Sequence, residues 1–340
     1  MKHVFAVTSH LTFSVMYRIA EVNNLELDDC VLLLLRDYTV PDNKTDLFKH
    51  QIATSYNVDI NKGRVFAGLC FWKTKSNIRK FDERIDSVIG EEQFFWYTPV
   101  CSNDVCSLMV TKKNCVGFYV TEDGMASYRK YNPQTFTGVR YVVYRTVLKP
   151  LFPRLFEAKN HFIESDHPKF KGCISTSDKC FPLHQHCLKI VGSPFEPVAL
   201  DYEIDAVISV DPLYQFVGIE KAEEVYQKLS DYIQKRHNYH QIVYKMHPRF
   251  NAASNLQHYE EYEGLIKKYF QGIIKINASI VLENLLASCK ADFYSFNSSV
   301  AIYASLSGSK CYNILPLLKG TPAYEEQWII DECTIPVEND

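Results

Sequence analysis

The 340-residue chain has no apolar run near the roughly 18 residues a membrane-spanning helix needs; its longest, Val31–Leu35, has the length of a strand. Its 13 glycines form neither a Gly-x-Gly-x-x-Gly turn nor a Walker loop, which removes support from dinucleotide and P-loop readings. The 11 cysteines are odd in number and show no C-x-x-C pair. That argues against a disulfide framework and a treble-clef zinc site and predicts mostly reduced thiols buried as small hydrophobes. A Gly-x-Ser-x-Gly elbow is absent too, and no cysteine has a recognisable histidine partner, so a nucleophilic hydrolase is disfavoured. The formal charge is only -3 and the cations are dispersed, so nucleic acid is not an expected partner. At the start, Thr8, Ser9 and His10 interrupt the apolar stretch Val4–Val7 before a signal-peptide core forms, which predicts a cytoplasmic chain.

What is present is a soluble globular composition, 46% hydrophobic and 23% charged, long enough for two domains of roughly 150 residues and a cleft between them. Val4–Thr8 reads as a strand that turns into a helix at Leu11–Ile19. Further strands are expected at Val31–Leu35, Val65–Trp72, Gln93–Tyr97 and Val116–Thr121, with helical or polar stretches between most of them. Such alternation implies a parallel sheet, and Leu32–Leu35 suits a strand covered on both faces. Residues 146–200, rich in proline and histidine, are expected to hold short strands and the crossing to a second lobe. With the boundary near Glu196, the domains are 1–195 and 196–340.

In the second lobe the alternation resumes with strand Ala206–Val210, helix Lys221–Lys235, strand Gln241–Met246 and helix Tyr259–Tyr269. It continues with strand Ile273–Ile276, helix Ile280–Cys289, strand Ala291–Ser295, helix Ser299–Ser305 and strand Lys310–Leu315. The fold class is therefore α/β, two Rossmann-like domains with parallel sheets.

Chemistry-bearing residues stand where these strands end. Glu122-Asp123-Gly124 follows Val116–Thr121, which puts two carboxylates at the edge where open α/β sheets bind ligands. A carboxylate there could take a proton from an attacking hydroxyl, or the pair could simply cap a helix starting near Met125, with Gly124 permitting the turn. His247-Pro248 follows Gln241–Met246; the histidine could give a hydrogen bond or proton to a departing phosphate, or merely satisfy a loop. Asn297-Ser298-Ser299 opens a helix, a position suited both to capping and to holding an anion. Glu283 lies early in its helix, where it could bind a ribose or face solvent, and Asp211 ends the strand Ala206–Val210 as a cleft carboxylate or a turn former. The cluster Cys173, Cys180, His184, His186 and Cys187 matches no ordinary zinc spacing. With no Asp-x-Asp triplet, the usual means of holding a divalent ion on a nucleotide diphosphate is missing, and a nucleotide monophosphate donor needs none.

An acidic pair with glycine ending a strand in the first lobe, followed by His-Pro and Ser-Ser in the second, resembles the bacterial sialyltransferases of the GT-B fold. The pattern looks closest to glycosyltransferase family 52, the lipooligosaccharide sialyltransferases, and is similar to family 80 and the capsule polysialyltransferases. The resemblance implies an inverting transfer of sialic acid from CMP-sialic acid to a sugar hydroxyl of a bacterial surface glycan, without metal or other cofactor. It implies Asp123 as general base supported by Glu122, with Asp211 as the other candidate base. It places His247, Pro248, Ser298 and Ser299 at the donor phosphate and Glu283 at the ribose. Other CMP-activated acidic sugars (Kdo, pseudaminic or legionaminic acid) and a non-catalytic scaffold stay open as alternatives. So do a lipid-linked acceptor, a peripheral seat on the inner membrane and a homodimer.

Overall fold

The computed structural model describes residues 1–35, 38–54, 71–99, 104–128, 146, 149–156, 166–195, 197–198, 203–247, 250, 255–277, 280–296, 298–321, 324 and 333–338. Its packing divides into two compact units, Met1–Pro194 and Phe195–Asp340.

In the first unit β1 (Lys2–Val7), β2 (Cys30–Leu34), β3 (His50–Ala53), β4 (Phe94–Thr98), β5 (Cys115–Thr121), β6 (Phe170–Ser175) and β7 (Leu188–Ile190) form one sheet. Their spatial order is β3-β2-β1-β4-β5-β6-β7, and every pairing is parallel. The central strands alternate between two apolar layers. Val4, Ala6, Val31 and Leu33 point into one, with Phe81, Ile85 and Ile89 of α2 (Phe71–Ile89) and Val105, Leu108 and Met109 of α3 (Asp104–Val110). Phe5, Val7, Leu32 and Leu34 point into the other, with Phe13, Met16 and Ile19 of α1 (His10–Val22). Coverage on both faces is why β2 reads as an unbroken apolar run, all five residues being buried. A capping box starts α1: Thr12 N–H donates to Ser9 Oγ at 3.3 Å, and Ser9 N–H donates to Thr12 Oγ1 at 3.0 Å.

The second unit carries β8 (Ala206–Val210), β9 (Ile242–Met246), β10 (Ile274–Lys275), β11 (Asp292–Ser295), β12 (Cys311–Asn313) and β13 (Ile335–Pro336), in the order β10-β9-β8-β11-β12-β13, all parallel. Helices α4 (Ile219–Arg236) and α5 (Leu256–Tyr269) cover one face through Val225, Tyr226, Leu229 and Tyr262. Helices α6 (Leu282–Cys289) and α7 (Val300–Leu306) cover the other through Leu285, Leu286, Ala301 and Ala304. Both sheets wind outward from their first strand in two directions. The order therefore reverses beside β1 in one unit and beside β8 in the other, and a crevice opens at such a reversal.

Two sequence expectations change. Of the strand expected over Val65–Trp72, residues 65–70 lie outside the described residues, and Phe71 and Trp72 open α2 instead. A short apolar run does not distinguish strand from helix, whereas Thr74, Ile78, Phe81, Ile85 and Ile89 recur at helical spacing and face the core. After Asp123 there is a 3₁₀ turn, Gly124–Tyr128, rather than an α-helix, with Gly124 at φ +65° as the tight turn demands.

Candidate active site

At the carboxyl end of β5 the Glu122–Asp123 pair divides its roles. Glu122 N–H donates to Ile174 O at 3.1 Å, continuing the β5–β6 ladder one residue beyond the strand. Its side chain is fully buried. Oε1 accepts from Tyr128 Oη at 2.6 Å; Oε2 accepts from Ser175 Oγ at 2.9 Å and from Thr176 N–H and Oγ1, each at 2.8 Å. A carboxylate so enclosed ties the strand-end turns of β5 and β6 together and is closed to solvent. Burial and then the Glu122 charge push the Tyr128 phenol and the Cys180 thiol well above their ordinary values. Asp123 is half-buried, and its N–H donates to Ser127 Oγ at 2.9 Å. Of the pair, Asp123 is the one that solvent reaches.

In the second unit three motifs stand on neighbouring strand ends. Val210 of β8 pairs with Met246 of β9, so Asp211 and His247 follow side by side, and His247 N–H donates to Val210 O at 3.0 Å. On the other flank of β8, Phe296 N–H, just past β11, donates to Asp211 Oδ2 at 2.8 Å. Asp211 Oδ1 accepts from Ser209 Oγ at 3.2 Å, and the residue is 5% exposed. Burial pushes its carboxyl up to about 6, against the opposing pull of the Phe296 N–H and the Ser209 hydroxyl. His247 is half-buried; Pro248 and Asn297 lie outside the described residues.

Ser298 and Ser299 are half-buried beyond β11, and Ser298 Oγ accepts from Val300 N–H at 3.3 Å. The N-cap of α7 is Ser299, which makes no side-chain capping bond; Ser298 instead closes a local turn ahead of the helix, and that bond leaves its hydroxyl proton to donate. Glu283 sits in the first turn of α6, beyond β10 and so beside β9. Burial raises its carboxyl, with Lys245 acting in the opposite sense; burial also lowers the Lys245 ammonium, which Glu283 opposes. Lys245 donates to Ile280 O, on the connection into α6. Sequence reasoning missed Lys245, whose signal was a lysine within an otherwise apolar strand, and it missed Ser175–Thr176 and Ser209 as partners of the two buried carboxylates.

The Cys173–Cys187 cluster does not converge: Cys173 and Cys180 are core residues and the His184 and His186 rings stand 6.3 Å apart. Among the described residues no three His, Cys, Asp or Glu side chains are grouped to hold a metal ion.

Residues 45–308 match the family model described as alpha-2,8-polysialyltransferase (POLYST), a span containing every candidate residue above. The chain belongs to the alpha-2,8-polysialyltransferase family. It is a CMP-sialic acid glycosyltransferase, and the family's reaction is sialic acid transfer in capsule polysaccharide synthesis. Of the groups whose motifs the chain resembles, the match singles out the polysialyltransferases rather than the lipooligosaccharide enzymes of family 52. No curated protein matches the polysialyltransferase chain as a relative.

Among solved structures, UDP-GlcNAc 2-epimerase from Methanocaldococcus jannaschii aligns with a TM-score of 0.53 at 9% identity, covering 99% of this chain and 88% of the epimerase. A putative UDP-N-acetylglucosamine 2-epimerase from Listeria monocytogenes aligns at 0.49 and 9% identity, covering 96% and 81%. The calicheamicin glycosyltransferase CalG4 aligns at 0.44 and 8% identity, covering 96% and 83%. At such identities likeness concerns the fold alone, and the first of these carries it: the polysialyltransferase has the two-sheet, GT-B-like architecture. No helix among the described residues is long and apolar enough to cross a membrane.

Proposed function

We propose that this polysialyltransferase transfers sialic acid with inversion, using Asp123 as general base and the strand ends of the second sheet as the donor site. The observation that carries the reading is that Asp211, His247 and Phe296, with Ser298 and Ser299 just beyond it, follow three adjacent strand ends at the reversal of strand order. The acceptor hydroxyl attacks the anomeric carbon of CMP-sialic acid. The new carbon–oxygen bond forms as the bond to the phosphate oxygen breaks, the hydroxyl proton passes to Asp123, and CMP departs.

Enclosure of Glu122 and Asp211 supports Asp123 as the base, because a base must come within hydrogen-bond reach of the proton it takes. Glu122 acts on Asp123 by fixing the turn that presents it. His247 and the Ser298 and Ser299 hydroxyls neutralise the charge developing on the phosphate. Glu283 takes the ribose hydroxyls, with Lys245 holding the connection that leads into its helix. In this reading no divalent ion is required, since the leaving group is a nucleotide monophosphate. A lipid-linked acceptor would bring the enzyme to a membrane surface.

The test is CMP release from CMP-sialic acid with an oligosialic acceptor, with and without chelator. Asp123→Ala and His247→Ala are expected to abolish or nearly abolish it. Full activity of Asp123→Asn would remove Asp123 as the base.

A further inference from the structure

At a reversal of strand order the loops after two neighbouring strands leave toward opposite faces, so the ladder between them must stop and some backbone donor loses its partner. Here the reversal lies between β8 and β11, paired as Asp292–Ala206, Phe293–Val207 and Tyr294–Ile208. Extending that register sets Phe296 opposite Val210. Phe296 N–H finds a carboxylate oxygen of Asp211 instead, at 2.8 Å. A side chain has replaced the backbone rung.

We propose that Asp211 is a positioning residue for the donor site, its carboxyl group terminating the β8–β11 ladder and thereby setting where Phe296, and with it Ser298 and Ser299, stand. Three observations support the assignment. Each oxygen of the carboxyl has its own donor, Phe296 N–H on one and Ser209 Oγ on the other. The side chain is almost wholly enclosed, which suits a brace and not a base. The carbonyl of Val210, immediately before it, accepts the His247 N–H, so β8 holds both flanks of the crevice through adjacent residues. The inference rests on the reading of Ser298, Ser299 and His247 as the phosphate site, and it removes Asp211 from the candidates for base.

Asparagine preserves what a brace needs. Its carbonyl oxygen accepts the Phe296 N–H and its amide donates to Ser209 Oγ. Alanine leaves the buried Phe296 N–H without an acceptor, a loss that corresponds to about tenfold to a hundredfold in an equilibrium constant. Steady-state kinetics with CMP-sialic acid should therefore show Asp211→Asn retaining kcat within a fewfold. Asp211→Ala should raise KM for the donor about tenfold to a hundredfold with a smaller change in kcat. Ser209→Ala, which spares the Phe296 bond, should change KM less than twofold. Hydrogen exchange read by mass spectrometry reports the brace itself: protection of the segment 293–299 should fall in Asp211→Ala and persist in Asp211→Asn.

Loss of kcat in Asp211→Asn at unchanged donor KM overturns the proposal in favour of a catalytic carboxylate. Unchanged exchange of 293–299 in Asp211→Ala overturns it whatever the kinetics. If instead His247→Ala and Ser298→Ala leave both kcat and donor KM untouched, the phosphate-site reading fails, while the exchange experiment still decides whether Asp211 braces the segment.

Discussion

Glu122 at the end of β5 and Asp211 at the end of β8 are both buried carboxyl groups one residue past a parallel strand, yet their surroundings differ. Tyr128, Ser175 and Thr176 crowd both oxygens of Glu122, and the turns of two strands depend on it. Asp211 has one hydroxyl and one backbone N–H, fewer donors than burial demands, and its carboxyl is pushed up to about 6. Donor supply separates them: four donors close around Glu122, whereas with two donors at Asp211 burial makes a proton competitive.

The comparison breaks most visibly if the wrong member of a pair is removed. Asp123→Ala and His247→Ala should lower kcat on the order of 10²-fold or more, with the melting temperature nearly unchanged. Glu122→Ala should instead act on the fold. Stranding Tyr128, Ser175 and Thr176 around an empty site costs about 3–5 kcal/mol, read by denaturant unfolding, with activity lost in proportion to folded protein. If Glu122→Ala folds normally and only kcat falls, the division between the two carboxylates is wrong.

A pH series sharpens the other side. The folded carboxyl of Asp211 at about 6 lies above the ordinary 3.8, so the native state binds the proton more tightly than the unfolded chain between those values. Its contribution to stability is therefore fully present below pH 3.8 and is lost as the pH rises through about 6, an effect of about 3 kcal/mol. Asp211→Asn should accordingly raise the melting temperature at pH 7.5 and leave it nearly unchanged at pH 4. The smallest expected effect lies at α1, away from either carboxylate. Ser9→Ala removes a cap worth about 0.5–2 kcal/mol, measurable by thermal unfolding.

Much of the fold was legible because buried parallel strands announce themselves as apolar runs and their helices as periodic ones. Ala206–Val210 was read to the residue, and β2, β4, β5, β9 and α1 to within a few. The strands β3 and β7 were not located, since the sheet-edge segments His50–Ala53 and Leu188–Ile190 are too short to show an alternating or unbroken apolar pattern. For the site, order along the chain gave the strand-end positions. What it could not give was burial of one residue against its neighbour. Glu122 and Asp123 are adjacent and chemically alike; only the arrival of Ser175 and Thr176, more than fifty residues away, separates an anchor from a reachable acid.

Strand β8 is buried at all five positions, carries Asp211 at its tip, and lends the carbonyl of Val210 to His247. Its apolar residues are closed to solvent, but their packing bears on two flanks of the strand end at once. In a library aimed at a different activated sugar, conservative changes such as Val210→Ala would be scored as losses of turnover despite being chemically silent. Variation is better directed to the residues around Glu283 and Ser298, with β8 left as inherited.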